Sequence, residues 1–202
     1  MITLQDVQQA QARLAPYIVR TPLLRVPALD EALNCEVYLK FEGFQIMGAF
    51  KIRGAMNKAL SLTPEELQRG LVCASSGNHA QGVACAAHRL GTKAVIVMPT
   101  TANPVKLAGV KAFGGKVELV GTLSSEREAR AAELVEQEGM VNIHPYADPY
   151  VAAGQGTMGL EILEDLPDVD AVAVPIGGGG MISGVSTAVK GLNPAVKTIG
   201  VE

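Results

Sequence analysis

Short apolar runs alternate with helix-length segments along nearly the whole chain, and few folds accept that rhythm. Strands are expected at Glu36–Glu42, Leu71–Ala74, Ala94–Met98, Lys116–Val120, Val141–His144, Ala171–Pro175 and Thr198–Val201. They are rich in Val, Ile and Leu and alternate only weakly, as strands covered on both faces do. The first helix is expected after Thr3, its cap, with Leu4, Val7 and Leu14 on one face. Lys51–Leu62 stops before Thr63-Pro64, while His79–Leu90 and Pro104–Phe113 each end at glycine. Ser124 or Ser125 is expected to cap Ser124–Glu138, and Val151–Leu163 and Met181–Leu192 complete the helices. Alternation at this spacing implies an α/β protein with parallel sheet and helices on both faces. No helix follows the last strand, so one flank of the sheet is expected to stay uncovered, as in a fragment.

Composition narrows the function classes. Hydrophobic residues are 48% of 202, enough for a core and too many for disorder. Seventeen basic against twenty acidic residues leave a charge of −3 with no basic stripe, which argues against nucleic acid as a partner. The longest uncharged stretch, Ala171–Val189, contains Pro175 and four successive glycines and makes a poor membrane span. The polar N-terminus lacks a signal peptide's apolar run. Cys35, Cys73 and Cys85 are odd in number and form no CxxC pair, pointing to thiols in a reducing compartment. The expectation is a cytoplasmic protein handling a small molecule.

Three motifs carry chemistry. Pro175–Gly184 (PIGGGGMISG) lies between a strand and a helix, where bare backbone N–H groups and a helix N-terminus suit a phosphate. The dinucleotide fingerprint GxGxxG fails in every register, and Val185 stands where a P-loop needs lysine. Glu202 keeps a dinucleotide reading open, as an acid that could meet a ribose. Ser75–Gly82 (SSGNHAQG) sits at another strand-to-helix junction, where it is either a capped turn or a carboxylate or phosphate site. His79, His88 and His144 show no metal-ligand spacing with the cysteines, so His79 is expected to be structural rather than a metal ligand. In Gly48–Gly54, Lys51 opens a helix beside Phe50 and Ile52. It is a solvated surface lysine, or a partly desolvated one whose free amine attacks a carbonyl.

A phosphate cradle, an anion-binding turn and a lysine beside an aromatic ring are together the parts a pyridoxal phosphate enzyme needs. Their order, in KFEGFQIMGAFKIRGA (Lys40–Ala55), SSGNHAQG (Ser75–Gly82), HPYADPYVAAGQGT (His144–Thr157) and PIGGGGMISG (Pro175–Gly184), resembles the serine/threonine dehydratase family of fold type II (tryptophan-synthase-β-like) pyridoxal phosphate enzymes. The resemblance implies two open, mostly parallel sheets. Residues 51–145 would form a smaller domain, and 1–50 with 146–202 an incomplete larger one.

It also implies roles. Lys51 would form the Schiff base and act as the base at Cα, with Phe50 beside the ring. Asn78 would meet the cofactor's phenolic oxygen, Tyr146 would touch the cofactor, and Gly177, Gly178, Gly179 and Gly180 would hold its phosphate. Ser75, Ser76, Gly77, Asn78 and His79 would line the substrate carboxylate pocket, with Ser76 as an acid/base on the opposite side of Cα. The implied reaction is β-elimination from threonine or serine to a 2-oxo acid and ammonia, in a homo-oligomer (dimer or tetramer). Met47-Gly48-Ala49 is similar to the serine racemase and threo-3-hydroxyaspartate dehydratase branch. That branch's Mg²⁺ site is matched only at Glu202, its other ligands lying beyond the last residue. A catalytically inactive fragment is the reading from another class.

Overall fold

The computed structural model describes residues 1–202. The chain begins α1 (Leu4–Leu14), β1 (Leu23–Arg25), α2 (Pro27–Leu33), β2 (Tyr38–Lys40) and a 3-10 turn at Glu42–Phe44. Then come α3 (Lys51–Ala59), α4 (Pro64–Arg69), β3 (Leu71–Ala74), α5 (Asn78–Leu90), β4 (Ala94–Met98), α6 (Pro104–Ala112), β5 (Lys116–Leu119), α7 (Ser124–Glu138) and β6 (Val141–Asn142). It closes with α8 (Pro149–Asp165), β7 (Ala171–Pro175), α9 (Gly180–Leu192) and β8 (Lys197–Val201).

Strands β5-β4-β3-β6 form an all-parallel sheet. Alternate residues leave its two faces: Leu71, Cys73, Ile96 and Met98 join a core with α3 and α5, while Val72, Val95 and Val97 pack on Ala131 and Leu134 of α7. The chain steps outward from β3 to β4 to β5 and then returns to place β6 on the other side of β3. Such a reversal opens a crevice beyond the carboxyl ends of the two neighbouring strands, where open α/β sheets bind ligands. Here those ends lead into Ser75–Gly77 and Ile143–Tyr146. A second parallel pair, β7-β8, packs under α9 through Val172, Val174, Val185 and Val189. No helix is long and apolar enough to cross a membrane.

Several boundaries differ from expectation. Beside the two parallel sheets, β1 and β2 form an antiparallel ribbon. The strand expected over Glu36–Glu42 shrinks to β2 because the chain turns at Glu42, whose carboxylate is drawn to Arg53. Pairing in β6 stops at Asn142, since His144 Nδ1 accepts from the Tyr146 and Ala147 N–H groups and starts a turn. Neither Ser124 nor Ser125 caps α7; the Glu126 carboxylate takes the Thr122 and Leu123 N–H groups instead. Helix α3 ends early, at Ala59, where Leu60 and Ser61 fold back onto Met56 and Lys58, and Thr63 caps α4 in a reciprocal pair with Glu66.

Helix α8 organises the rest. Asp148 caps it through Tyr150 N and Val151 N, and every residue from Val151 to Glu161 is buried. A Cβ on Gly154 would lie 2.8 Å from Gly54 Cα of α3, and one on Gly156 would lie 2.8 Å from Gly184 O of α9. Helices α3 and α9 therefore touch α8 backbone to backbone. Beside this contact sits a charge cluster. The fully buried Arg53 pairs with Glu161 at 2.6 Å and Glu42 at 2.8 Å, and Lys40 reaches Glu161 at 2.6 Å. Burial alone would depress the Arg53 pKa, but its hydrogen bonds to the two carboxylates more than offset that and raise it.

Removing one partner from such a buried cluster leaves a bare charge, so Glu161→Gln should lower unfolding stability by about 3–5 kcal/mol in urea titration. A loss below about 1 kcal/mol would mean that Arg53 does not depend on Glu161. Gly184→Ala, which drives a methyl into Ala152 O, should cost at least about 1–3 kcal/mol by the same measurement; a neutral result would show that α8 and α9 can separate freely.

Candidate active site

Lys51 is the first residue of α3, and its backbone packs on Gly82 of α5, where an added Cβ would stand 3.3 Å from Lys51 C and O. The starts of α3 and α5 are thus held side by side. The Lys51 side chain is half-buried and donates to Pro145 O at 2.9 Å, with its Nζ 5.2 Å from the Phe50 ring centroid. Burial alone moves its pKa, downward from the ordinary 10.5. No carboxylate counters that loss of solvent. Of the two sequence alternatives, the structure gives the partly desolvated lysine.

The segment after β6 is the hub of the site. Ile143 O lies 2.7 Å from His79 Nε2, Pro145 O takes the Lys51 amine, and Tyr146 packs on the glycine loop. A Cβ on Gly178 would overlap the Tyr146 ring, and one on Gly180 would come within 2.8 Å of Tyr146 Cα. Gly179 has φ +82°, a conformation glycine adopts without strain. Around Gly177 there is open space. None of the N–H groups of residues 177–182 donates to a backbone carbonyl, because they form the free first turn of α9 and the loop before it. A cradle shaped for bare backbone, full of unpaired donors at the positive end of a helix, fits a phosphate ester.

The Ser75–Gly77 turn presents a similar set. Gly77 N donates to Ser75 Oγ at 3.4 Å, whereas the N–H groups of Ser76, Asn78 and His79 have no backbone acceptor. Ser76 is exposed and Ser75 and Asn78 are half-buried. His79 is only 3% exposed, and burial drives its pKa down to about 4, so the ring is neutral at physiological pH. Its Nε2–H must then face Ile143 O, which leaves Nδ1 buried without a partner. The imidazole thus ties α5 to the end of β6.

The structure brings Lys51, Phe50, the Ser75–His79 turn, Tyr146 and Gly177–Gly180 around one crevice. Glu202 is exposed just after β8, next to Val201, whose carbonyl accepts from Ile176 N–H at the start of the glycine loop, and no group of three or more His, Cys, Asp or Glu side chains could hold a metal ion. Sequence reasoning passed over Pro145, whose role is played by its carbonyl, and over Arg53, Glu42, Glu161 and Lys40. It also passed over the helix-contact glycines, although AAGQGTMG, with small residues repeated through a helix, was a readable signal.

Comparison with known proteins agrees with this geometry. Residues 14–202 match the family described as "Pyridoxal-phosphate dependent enzyme". The chain is 52% identical over 202 residues to an L-threonine ammonia-lyase of Thermotoga maritima, covering all of this chain and 50% of that protein. It is 46% identical over 203 residues to the catabolic L-threonine dehydratase TdcB of Staphylococcus aureus, covering 59% of that protein. Maize serine racemase superposes with a TM-score of 0.98 at 41% identity, over all of this chain and 61% of that one. The processed form of threonine deaminase isoform 2 from Solanum lycopersicum does so with 0.93 at 44% identity, over 98% and 55%. The chain therefore spans between half and two thirds of the length of these relatives. The fold is the expected mixed α/β one, and the dinucleotide reading of the glycine loop falls away. With its lysine, donor-lined turn and glycine cradle meeting at one crevice, this chain belongs to the family of pyridoxal-phosphate dependent enzymes.

Proposed function

We propose that the chain carries the lysine, the carboxylate-binding turn and the phosphate loop of a threonine/serine ammonia-lyase, which converts a β-hydroxy amino acid to a 2-oxo acid and ammonia. The observation that carries this reading is the Ile143–Tyr146 segment, which holds the Lys51 amine on one residue and covers the glycine cradle with the next. The 46–52% identity to threonine-degrading relatives supports the same substrate class.

Bound pyridoxal phosphate supplies an electrophilic aldehyde and a ring that takes up negative charge from Cα. The N–H groups of Gly177–Gly180 and the positive end of α9 would hold the phosphate. Phe50 would pack beside the ring and Tyr146 over the glycine loop, and the Asn78 amide would meet the phenolic oxygen. The free N–H groups of Ser76, Asn78 and His79 would orient the substrate carboxylate along the α5 dipole, with Ser75 and Gly77 shaping the turn. Lys51 Nζ, with its ammonium form disfavoured by burial, would take the Cα proton.

Ser76, exposed at the crevice, favours a second reading: its hydroxyl as a proton donor on the opposite side of Cα, giving racemisation as in the serine racemase relative. Residues 51–145 are proposed as the smaller domain, since its four-stranded sheet lies wholly between Leu71 and Asn142, and 1–50 with 146–202 as part of the larger. Three unpaired cysteines support a cytoplasmic setting, and exposed Leu24, Leu29, Leu33 and Leu39 support a homo-oligomer.

Borohydride reduction of the chain with pyridoxal phosphate, followed by peptide mapping, should place the label on Lys51, and Lys51→Ala should abolish it. Label on another lysine sinks the site. Because burial lowers the Lys51 pKa, its labelling should rise with pH around a midpoint below the ordinary 10.5. A midpoint at or above 10.5 would refute the desolvated amine. In a 2-oxo acid assay, threonine or serine turnover is expected; labelling without turnover would make the chain a cofactor-binding half.

A further inference from the structure

Helix α6 follows β4 and packs on the start of α5, where a Cβ on Gly109 would stand 2.8 Å from the Gln81 side-chain carbonyl carbon. From this helix the half-buried Lys106 reaches across, and its Nζ donates to Oδ1 of Asn78, the first residue of α5. An ammonium has three donors and no acceptor, so it can meet only the oxygen end of an amide. Flipping Asn78 would set its NH₂ against NH₃⁺. Oδ1 is therefore committed to Lys106, and both N–H bonds of Nδ2 are left for the other side.

We infer that Lys106 is a positioning residue that fixes the Asn78 amide so that it presents only donors to the crevice and selects an anionic oxygen there. This deepens the pyridoxal phosphate reading and rests on it: the oxygen is the cofactor's ionised phenolic one. The neighbouring N–H groups of Ser76 and His79 are also without backbone acceptors, so the turn offers the same polarity throughout. The ammonium withdraws charge through the amide and strengthens its N–H donors, in the way linked hydrogen bonds polarise one another.

The test is a double-mutant cycle on pyridoxal phosphate affinity, read from the visible absorption of the 202-residue chain. Lys106→Met should weaken binding about tenfold, as the loss of a hydrogen bond to a charged partner does, and should move the absorption maximum. Lys106→Arg keeps the donor and should restore both. In an Asn78→Ala background, Lys106→Met should have no further effect, because Lys106 acts only through the amide. An equal loss in both backgrounds, or none with Asn78 intact, overturns the inference while Lys51 labelling still upholds the site. A wild-type chain that takes up no pyridoxal phosphate overturns the function reading and this inference together.

Discussion

The spacing between the Lys51 amine and the Gly177–Gly180 loop is set by helices that touch without side chains between them. Helix α8 meets α3 at Gly154 and Gly54, and α9 at Gly156 and Gly184. Lys51 stands at the N-terminus of α3, and Gly177–Gly180 lead into α9. With α8 as a common backing, neither neighbour can slide without separating backbone from backbone, and close-packed interiors resist that. The Ile143–Tyr146 segment, which leads into α8, then closes the gap from the open side. The candidate site is thus built from helix N-termini and strand ends, while its lysine side chain has the Pro145 carbonyl as its hydrogen-bond partner.

Two cations two residues apart show how the same helix start treats charge in opposite ways. Arg53 is buried with Glu42 and Glu161, and Lys40 completes the cluster. Lys51 is half-buried, with the Pro145 carbonyl as its hydrogen-bond partner, the Phe50 ring nearby and no carboxylate. A guanidinium keeps its charge under nearly any condition, so it demands carboxylates and serves as a permanent tie. An ammonium denied a carboxylate gives up its proton more readily, which a nucleophile requires. The cluster holds the helix, and the lonely amine is the one proposed to do the chemistry.

Much of the fold was legible because its signals are local. Leu71–Ala74, Ala94–Met98 and Ala171–Pro175 are strands with the expected ends, since runs of Val, Ile and Leu beside glycine or proline have few other uses. Three short elements were not legible: β1, α2 and α4 carry too weak a pattern for a period to emerge, and α2 buries none of its own residues. The α7 cap was misplaced because serine and glutamate compete for the same N-terminal donors, and only the backbone path shows which arrives first.

The amino-acid order alone settled the chemistry's raw materials: a glycine run after a strand, a donor-rich turn, and a lysine beside an aromatic ring. Each is a short-range pattern, and backbone chemistry at a strand-to-helix junction is written in consecutive residues. What it left open was which of two states each part takes: a solvated or a desolvated lysine, a structural or a site-facing histidine, one end of the Asn78 amide or the other. Those choices turn on neighbours 28 to 94 positions away, such as Lys106, Ile143 and Pro145. Burial and hydrogen-bond polarity arise only where distant segments meet, so tertiary structure alone decided them.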